Sequence, residues 1–74
     1  MKIKLGQKRQ LFLALYGDAE QLMQSLVDED HEVRIAALSN YLADEVIFKT
    51  ALKDVDERVR QAAENLLKRS QETN

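Results

Sequence analysis

One stretch of the chain occurs twice. The segment from Leu26 to Ala37 reads LVDEDHEVRIAA, and 26 residues later the segment from Leu52 to Ala63 reads LKDVDERVRQAA. The identical pairs are Leu26/Leu52, Asp28/Asp54, Asp30/Asp56, Val33/Val59, Arg34/Arg60, Ala36/Ala62 and Ala37/Ala63. A fixed internal period of this length is typical of stacked supersecondary units, each of which buries its apolar face only against its neighbours. The repeat therefore predicts the architecture, and it favours a binding scaffold over a reaction centre.

The size of the chain limits how it can be stabilised. Its 74 residues fit one domain, near the lower limit for a self-sufficient hydrophobic core. The chain has no cysteine for a disulfide, and its single histidine cannot build a zinc site by itself. We therefore predict a single domain over residues 1–74 without cofactor or metal, in which association is the remaining source of extra burial.

The spacing of apolar residues predicts five helices. They cover residues 7–16, 19–27, 31–43, 45–53 and 57–69. The absence of proline and the presence of only two glycines favour uninterrupted helices over strands and turns. Gly17 is expected to close the first helix. Four aspartates precede the other helices as predicted N-caps, namely Asp18, Asp30, Asp44 and Asp56.

The helical faces divide the chain into units. One face of the third helix carries Val33, Ala36, Ala37, Asn40 and Tyr41. The same face of the fifth helix carries Val59, Ala62, Ala63, Leu66 and Leu67. Aligning positions 26 residues apart makes the first helix the second half of an incomplete leading unit. The predicted organisation is a basic lead over 1–6, a half repeat over 7–17, repeats over 18–43 and 44–69, and a frayed tail over 70–74.

The pattern Leu-x-Asp-x-Asp-x-x-Val-Arg-x-Ala-Ala, present twice, resembles HEAT-type helical repeats and the related leucine-rich repeat variant. In this family the second helix of each unit begins with Val-Arg after an Asp-containing turn. The 26-residue spacing is closer to the leucine-rich variant, whose usual Asn-Pro is missing here. The resemblance implies an all-α fold, a short right-handed α-solenoid of about two and a half helix-pair repeats.

The resemblance also implies a structural role for four charged residues. In such repeats the turn aspartate and the helix arginine form a ladder between neighbouring units. The residues in question are Asp28, Arg34, Asp54 and Arg60. A bidentate arginine–carboxylate pair suits that task. The alternative is that Arg34 or Arg60 binds a ligand.

The first helix is apolar on all sides. Residues 11–16 are consecutive apolar residues, yet this terminal helix has neighbours on only one side. Phe12 and Tyr16 are expected to cover the third helix, which leaves Leu13 over. Three alternatives follow: residues 1–6 fold back over this helix, the helix offers a contact surface, or one leucine is simply exposed. The contact surface predicted for a partner or a homodimer consists of Arg9, Phe12, Leu13 and Tyr16.

A second candidate surface is the ridge formed by the last helices of the units, since repeat stacks bind partners on their concave side. Its residues are Lys8, Arg34, Ser39, Arg60 and Asn65. Basic side chains give the alternative function, nucleic-acid binding with strongly salt-dependent affinity. They are Lys2, Lys4, Lys8, Arg9, Arg34 and Arg60. The net charge of -2 argues against this alternative.

No set of residues in the sequence indicates catalysis. A nucleophile with its base and orienting group is not recognisable, and His31 is interpreted as a solvated surface residue. The acidic segment 28–32 lacks the glycine and the ligand spacing of an EF-hand loop. No apolar run has membrane-spanning length and no signal peptide is evident, which predicts a cytoplasmic protein. We therefore predict a non-enzymatic protein–protein interaction module, an adaptor or an inhibitor, whose partner the sequence does not name.

Overall fold

A computed structural model describes residues 5–72, and within that range the chain is all-helical. Its helices are α1 (Leu5–Tyr16), α2 (Ala19–Ser25), α3 (His31–Ala37), α4 (Glu45–Ala51) and α5 (Glu57–Glu72). The all-α class and the five helices predicted from the sequence are thus confirmed for the described part of the chain. Lys2 and Lys4 of the predicted basic lead lie outside the described residues. None of these five helices is both long and apolar enough to cross a membrane.

Aspartate side chains cap the N-terminal ends of four helices. In α2, Asp18 accepts a hydrogen bond from the Gln21 N–H at 3.0 Å, and the Gln21 side chain accepts one from the Asp18 N–H at 3.0 Å. The Asp30 and Asp44 side chains likewise accept from backbone N–H groups in the first turns of α3 and α4. Asp56 accepts from the N–H two residues later, at 2.8 Å, at the start of α5. Each carboxylate satisfies an N–H group that has no partner within its own helix.

Helix α3 is shorter than the sequence predicted. It ends at Ala37 rather than at Ala43, and residues 38–42 form successive turns. The prediction was wrong because the apolar periodicity continues in the sequence beyond the point where the backbone leaves the helix. As a consequence Tyr41, which was predicted on the buried face, is 77% exposed.

The side chain of Asn40 explains why the chain turns here. Asn40 is buried, and its Nδ2 donates to the carbonyl oxygens of Ala14 at 2.9 Å and Gly17 at 3.1 Å. Its Oδ1 accepts from the Leu42 N–H at 2.8 Å. The two carbonyls belong to the C-terminal end of α1, where no further helical N–H is available to them. Asn40 therefore closes α1 and fixes the turns after α3 at the same time.

The remaining helix boundaries shift by two or three residues, as helix ends commonly do. Helix α5 continues to Glu72, so residues 70–72, which were predicted to fray, are helical, whereas 73–74 lie outside the described range. Leu5 and Gly6 belong to α1, so the alternative in which residues 1–6 fold back over this helix does not hold for these two residues.

Gly17 follows α1 as predicted, but its role is close packing rather than a left-handed turn. It does not have a positive φ. A Cβ at this position would collide with the carbonyl oxygen of Leu13 and would lie 2.6 Å from the side chain of Gln21. Glycine therefore permits the short connection between α1 and α2.

The core consists of two clusters of buried residues that share partners. The first contains Ala14, Leu22, Val33 and Ala37, and the second contains Leu38, Ala51, Val59 and Ala63. Leu26 and Ile47 pack against both clusters and join them. The repeat equivalents Val33 and Val59 are each 1% exposed, and Ala37 and Ala63 are each 0% exposed. The internal repeat is therefore also a repeat of core positions.

Helix α3 lies between α1 and α5 and packs against both of them. Helix α2 packs on α1 and α3, and α4 packs on α5. Because α1 and α5 do not contact each other within residues 5–72, each has one face turned away from the rest of the molecule.

Asn40→Ala should lower the free energy of unfolding by about 2–3 kcal/mol, because buried backbone groups lose their hydrogen-bond partners. Asn65→Ala is the matched control, since Asn65 is exposed on α5 and its replacement should change stability by less than about 0.5 kcal/mol. Urea denaturation followed by circular dichroism measures both. Equal changes in the two variants would contradict the role assigned to Asn40.

Candidate functional site

The repeated segment builds the same turn twice. The Oδ1 atom of Asp28 accepts a hydrogen bond from the Asp30 N–H at 2.8 Å, and that of Asp54 accepts one from the Asp56 N–H at 2.9 Å. In each turn the second aspartate then accepts the N–H two residues later, at the start of the next helix. The aspartates that are identical in the two segments thus adopt one local geometry, in which the carboxylate of the first aspartate closes the turn.

Arg34 connects the two turns. Its Nε and Nη2 donate to the two carboxylate oxygens of Asp54 at 2.8 and 3.1 Å, which makes a bidentate ion pair. Its Nη1 donates to the carbonyl oxygen of Asp28 at 2.6 Å. The side chains of Arg34 and Asp54 are each only 13% exposed. Removing either one would leave a largely desolvated charge without its partner.

Arg60 repeats half of this arrangement. Its Nη1 donates to the carbonyl oxygen of Asp54 at 2.6 Å, as Arg34 does to that of Asp28. Among residues 5–72, no carboxylate receives the rest of the Arg60 guanidinium. The four residues assigned to the ladder by resemblance therefore lie together, but Asp28 contributes its carbonyl oxygen rather than its carboxylate.

Asp56 and Arg58 form an ion pair at the surface of the second turn. Arg58 donates from Nη2 and Nε to the two carboxylate oxygens of Asp56 at 2.8 and 3.1 Å. These bonds, followed by the one from the Arg58 N–H, hold the pKa of Asp56 well below its usual range. The carboxylate in turn raises the pKa of Arg58. Because the Arg58 side chain is 65% exposed, solvent screens the pair strongly.

Two aromatic rings stand together on the outer side of α1. Phe12 is 61% exposed and Tyr16 is 67% exposed, with ring centroids 5.2 Å apart and ring planes tilted by 51°. The prediction that both rings cover α3 was wrong, and Leu13, which was expected to be left over, is half-buried. The reason is Ala14, which is 0% exposed and faces the core. Phe12 and Tyr16 each lie two residues from Ala14, about 200° around the helix from it.

Two further apolar residues are exposed on the segment after α3. Tyr41 and Leu42 directly follow Asn40, whose side chain is bound to the C-terminal end of α1. Tyr41 is 77% exposed and Leu42 is 38% exposed. We refer to Phe12 and Tyr16, whose rings are in contact, as the aromatic surface. The sequence did not reveal the exposure of Tyr41 and Leu42, because both were assigned to a continuous third helix.

The charged and polar residues of the candidate surfaces are distributed unevenly. Lys8 and Arg9 are exposed about one turn before Phe12, and α1 contains no acidic residue. On the predicted ridge, Ser39 and Asn65 are also exposed. Arg34, which was predicted as a ridge contact as well, is held inside the structure by Asp54. Of the described basic residues that were predicted for these surfaces, the exposed ones are therefore Lys8 and Arg9, which lie in the N-terminal half of α1.

The remaining residues considered in the sequence are those that could serve catalysis or metal binding. His31 is half-buried, and its Nδ1 lies 3.9 Å from an Asp30 carboxylate oxygen. Within residues 5–72, no three His, Cys, Asp or Glu side chains are grouped so that they could hold a metal ion. In the acidic segment 28–32, carboxylates instead accept hydrogen bonds from backbone N–H groups and from the side-chain amide of Gln7.

Comparison with known protein families, with curated protein sequences and with solved structures finds no match to this chain. The resemblance to helical repeats therefore rests on the residues of the repeated segment.

A double-mutant cycle should detect the link between the two turns. Arg34→Gln and Asp54→Asn should each lower the free energy of unfolding by about 2 kcal/mol, with a coupling energy of about 1–2 kcal/mol. The control cycle uses Lys49 and Glu45, which are 3.0 Å apart with exposed side chains and should couple by less than about 0.5 kcal/mol. Equal coupling in the two cycles would contradict the role of Arg34.

The Asp56–Arg58 pair predicts that the free energy of unfolding depends on pH. Because folding lowers the pKa of Asp56, its contribution to stability is present above the ordinary value of 3.8 and is lost as the pH falls towards the folded-state pKa. Arg58→Gln should raise the pKa of Asp56 towards 3.8, as measured by NMR titration of its carboxyl carbon. Lys68→Gln, which removes an exposed contact to Glu64, should leave it unchanged. An unchanged pKa in Arg58→Gln would refute the assigned cause.

Proposed function

We propose that this chain is a non-enzymatic interaction module that binds another protein through the aromatic surface. The observation that carries the proposal is the exposure of Phe12 and Tyr16, at 61% and 67%, on a helix whose other side is packed in the core. Aromatic rings are enriched at binding hot spots, since they bury a large area with few rotatable bonds. A protein of this kind acts as an adaptor, or as an inhibitor that occupies a surface of its target.

The aromatic surface has the composition of an interface centre rather than of ordinary protein surface. Its rings are already in contact, with centroids 5.2 Å apart, so little side-chain freedom is lost when a partner covers them. Exposed apolar residues that are contiguous and bordered by polar groups mark interaction sites, whereas scattered ones do not. Val27 and Val55 illustrate the scattered kind: they are 82% and 92% exposed, and each follows a short helix in a separate turn.

Charge indicates what kind of protein fits this surface. Lys8 and Arg9 are exposed next to the rings, and no acidic residue lies on α1. In an isologous contact both copies would contribute the same positive charges from α1, whereas a partner with acidic side chains around an apolar centre would complement them. We therefore propose a different protein as the partner, with the homodimer through α1 as the competing outcome.

The scaffold that presents this surface is, in our proposal, a short HEAT-like α-solenoid. Two observations support it: the repeated turn with its Arg34 link to Asp54, and the position of α3 between α1 and α5. The leading half repeat, α1, then forms one end of the stack. Such an end has one unpaired face, which is where a partner can add to the stack.

The arrangement favours a protein over a nucleic acid as the partner. Arg34 and Arg60 were part of the basic row that would meet phosphates, but both donate to groups of the chain itself. Lys8 and Arg9 are the exposed basic residues left on α1, and the neighbouring segment 28–32 is acidic. A phosphate backbone approaching this end of the molecule would meet carboxylates as well as the two cations.

Site-specific photo-crosslinking tests the proposal. A benzophenone amino acid at position 12, in extracts of the source cells, should give one main adduct that excess wild-type protein suppresses. Excess Phe12→Ser/Tyr16→Ser should compete roughly 30-fold less well, because loss of two hot-spot rings costs about 2 kcal/mol of binding. Both residues are exposed, so circular dichroism should show an unchanged fold. The control places the same probe at Gln61, which is exposed on α5.

Several outcomes would contradict the proposal. The aromatic surface is not the binding site if the probe at Gln61 gives the same adduct, or if the double variant competes as well as the wild type. A doubled mass in light scattering that the double variant abolishes would assign the surface to a homodimer. Binding of a labelled oligonucleotide that weakens steeply with salt and is lost in Lys8→Gln/Arg9→Gln would assign it to nucleic acid.

A further inference from the structure

A cavity lies on the other side of α1, between this helix and the turn that precedes α3. Its volume is about 300 Å³. It is lined by Gln7, Gln10, Asp28, Glu29, Asp30 and Val33. Gln7 is about 140° around α1 from Phe12, so the cavity and the aromatic surface are separate features.

In the second copy of the repeated segment, an arginine binds the carboxylate that is equivalent to Asp28. Asp28 is the repeat equivalent of Asp54, and both carboxylates accept the N–H two residues later, at 2.8 and 2.9 Å. The Asp54 carboxylate also binds the guanidinium of Arg34 through both oxygens, at 2.8 and 3.1 Å. Among residues 5–72, no side chain donates to the carboxylate of Asp28. The carboxylate of Asp54 therefore binds an arginine, whereas the equivalent carboxylate of Asp28 has an oxygen available for one.

The chain does not fill this position, since α1 has no arginine 26 residues before Arg34 and none of its basic residues lines the cavity. The residue 26 positions before Arg34 is Lys8, which is exposed. The neighbouring Gln7 donates its side-chain amide to Asp30 at 2.7 Å and to Glu32 at 3.0 Å, so it does not reach Asp28. The polar groups next to the cavity are thus held in place by their own contacts, while Asp28 keeps an available oxygen.

We propose that this cavity binds the guanidinium group of an arginine side chain supplied by a partner protein. Asp28 accepts it as Asp54 accepts Arg34, and the amide oxygen of Gln10 offers a further acceptor. Arginine suits the site better than lysine, because a planar fork matches both carboxylate oxygens. Among residues 5–72, no arginine lines the cavity or donates to the carboxylate of Asp28, so the donor comes from outside.

NMR titration with acetylarginine amide tests the proposal directly. The amides of Gln10, Asp28 and Asp30 should shift in a saturable manner with this probe, and at least about tenfold higher concentrations of acetyllysine amide should be needed for the same shift. Asp28→Asn should weaken the arginine response at least about tenfold, while its amide oxygen can still accept the Asp30 N–H and keep the turn. Glu20→Gln is the control with the same charge change, at an exposed position on α2, and should bind as the wild type does.

A second variant tests the site from within the chain. Gln10→Arg places an arginine on α1 at a position that lines the cavity, and should raise the melting temperature by a few degrees while abolishing the response to acetylarginine amide. Equal responses to the arginine and lysine probes, or an unchanged response in Asp28→Asn, would overturn the proposal. A dimer in light scattering that acetylarginine amide dissociates and Arg9→Gln prevents would overturn the assignment to a different protein. None of these results depends on the aromatic surface.

Discussion

The bidentate contact between Arg34 and Asp54 is the interaction on which the rest of this structure depends. The chain is short, and its core consists of two small clusters of buried residues. One guanidinium joins the two turns of the repeated segment: it holds the Asp54 carboxylate at 2.8 and 3.1 Å and the Asp28 carbonyl at 2.6 Å. With only 13% of either side chain exposed, the pair fixes the distance between the two turns, and with it the position of α3 against α5.

The sequence predicted the parts of this arrangement that local rules determine. The aspartates before the helices are N-caps because a short acceptor side chain there satisfies free N–H groups, and Val33 and Val59 are buried because they recur on one helical face. What it missed depends on tertiary contacts. In the sequence, Asn40 cannot be distinguished from an ordinary polar residue on a helix. In the structure its side-chain amide donates to two carbonyl oxygens at the end of α1, and α3 terminates before it.

The same limit explains why the candidate surface was only partly predicted. The sequence pointed to Arg9, Phe12, Leu13 and Tyr16, but the rotation of α1 is set by the burial of Ala14, which no local pattern specifies. That rotation exposes both aromatic rings and buries part of Leu13. On another side of the helix, Gln7 and Gln10 line the cavity next to Asp28, and no side chain among residues 5–72 donates to the carboxylate of Asp28. Helix α1 thus borders both proposed contact sites.

Native-state hydrogen exchange of the wild-type protein tests the coupling of the units most directly. Ala37 and Ala63 are repeat equivalents, each 0% exposed, and their amides report on α3 and α5 respectively. If the Arg34 link makes the two units unfold together, both amides will exchange with one opening free energy, equal to that of global unfolding. An opening free energy for Ala63 that is lower than that for Ala37 by more than about 1 kcal/mol would show that the units open separately, and would contradict this account.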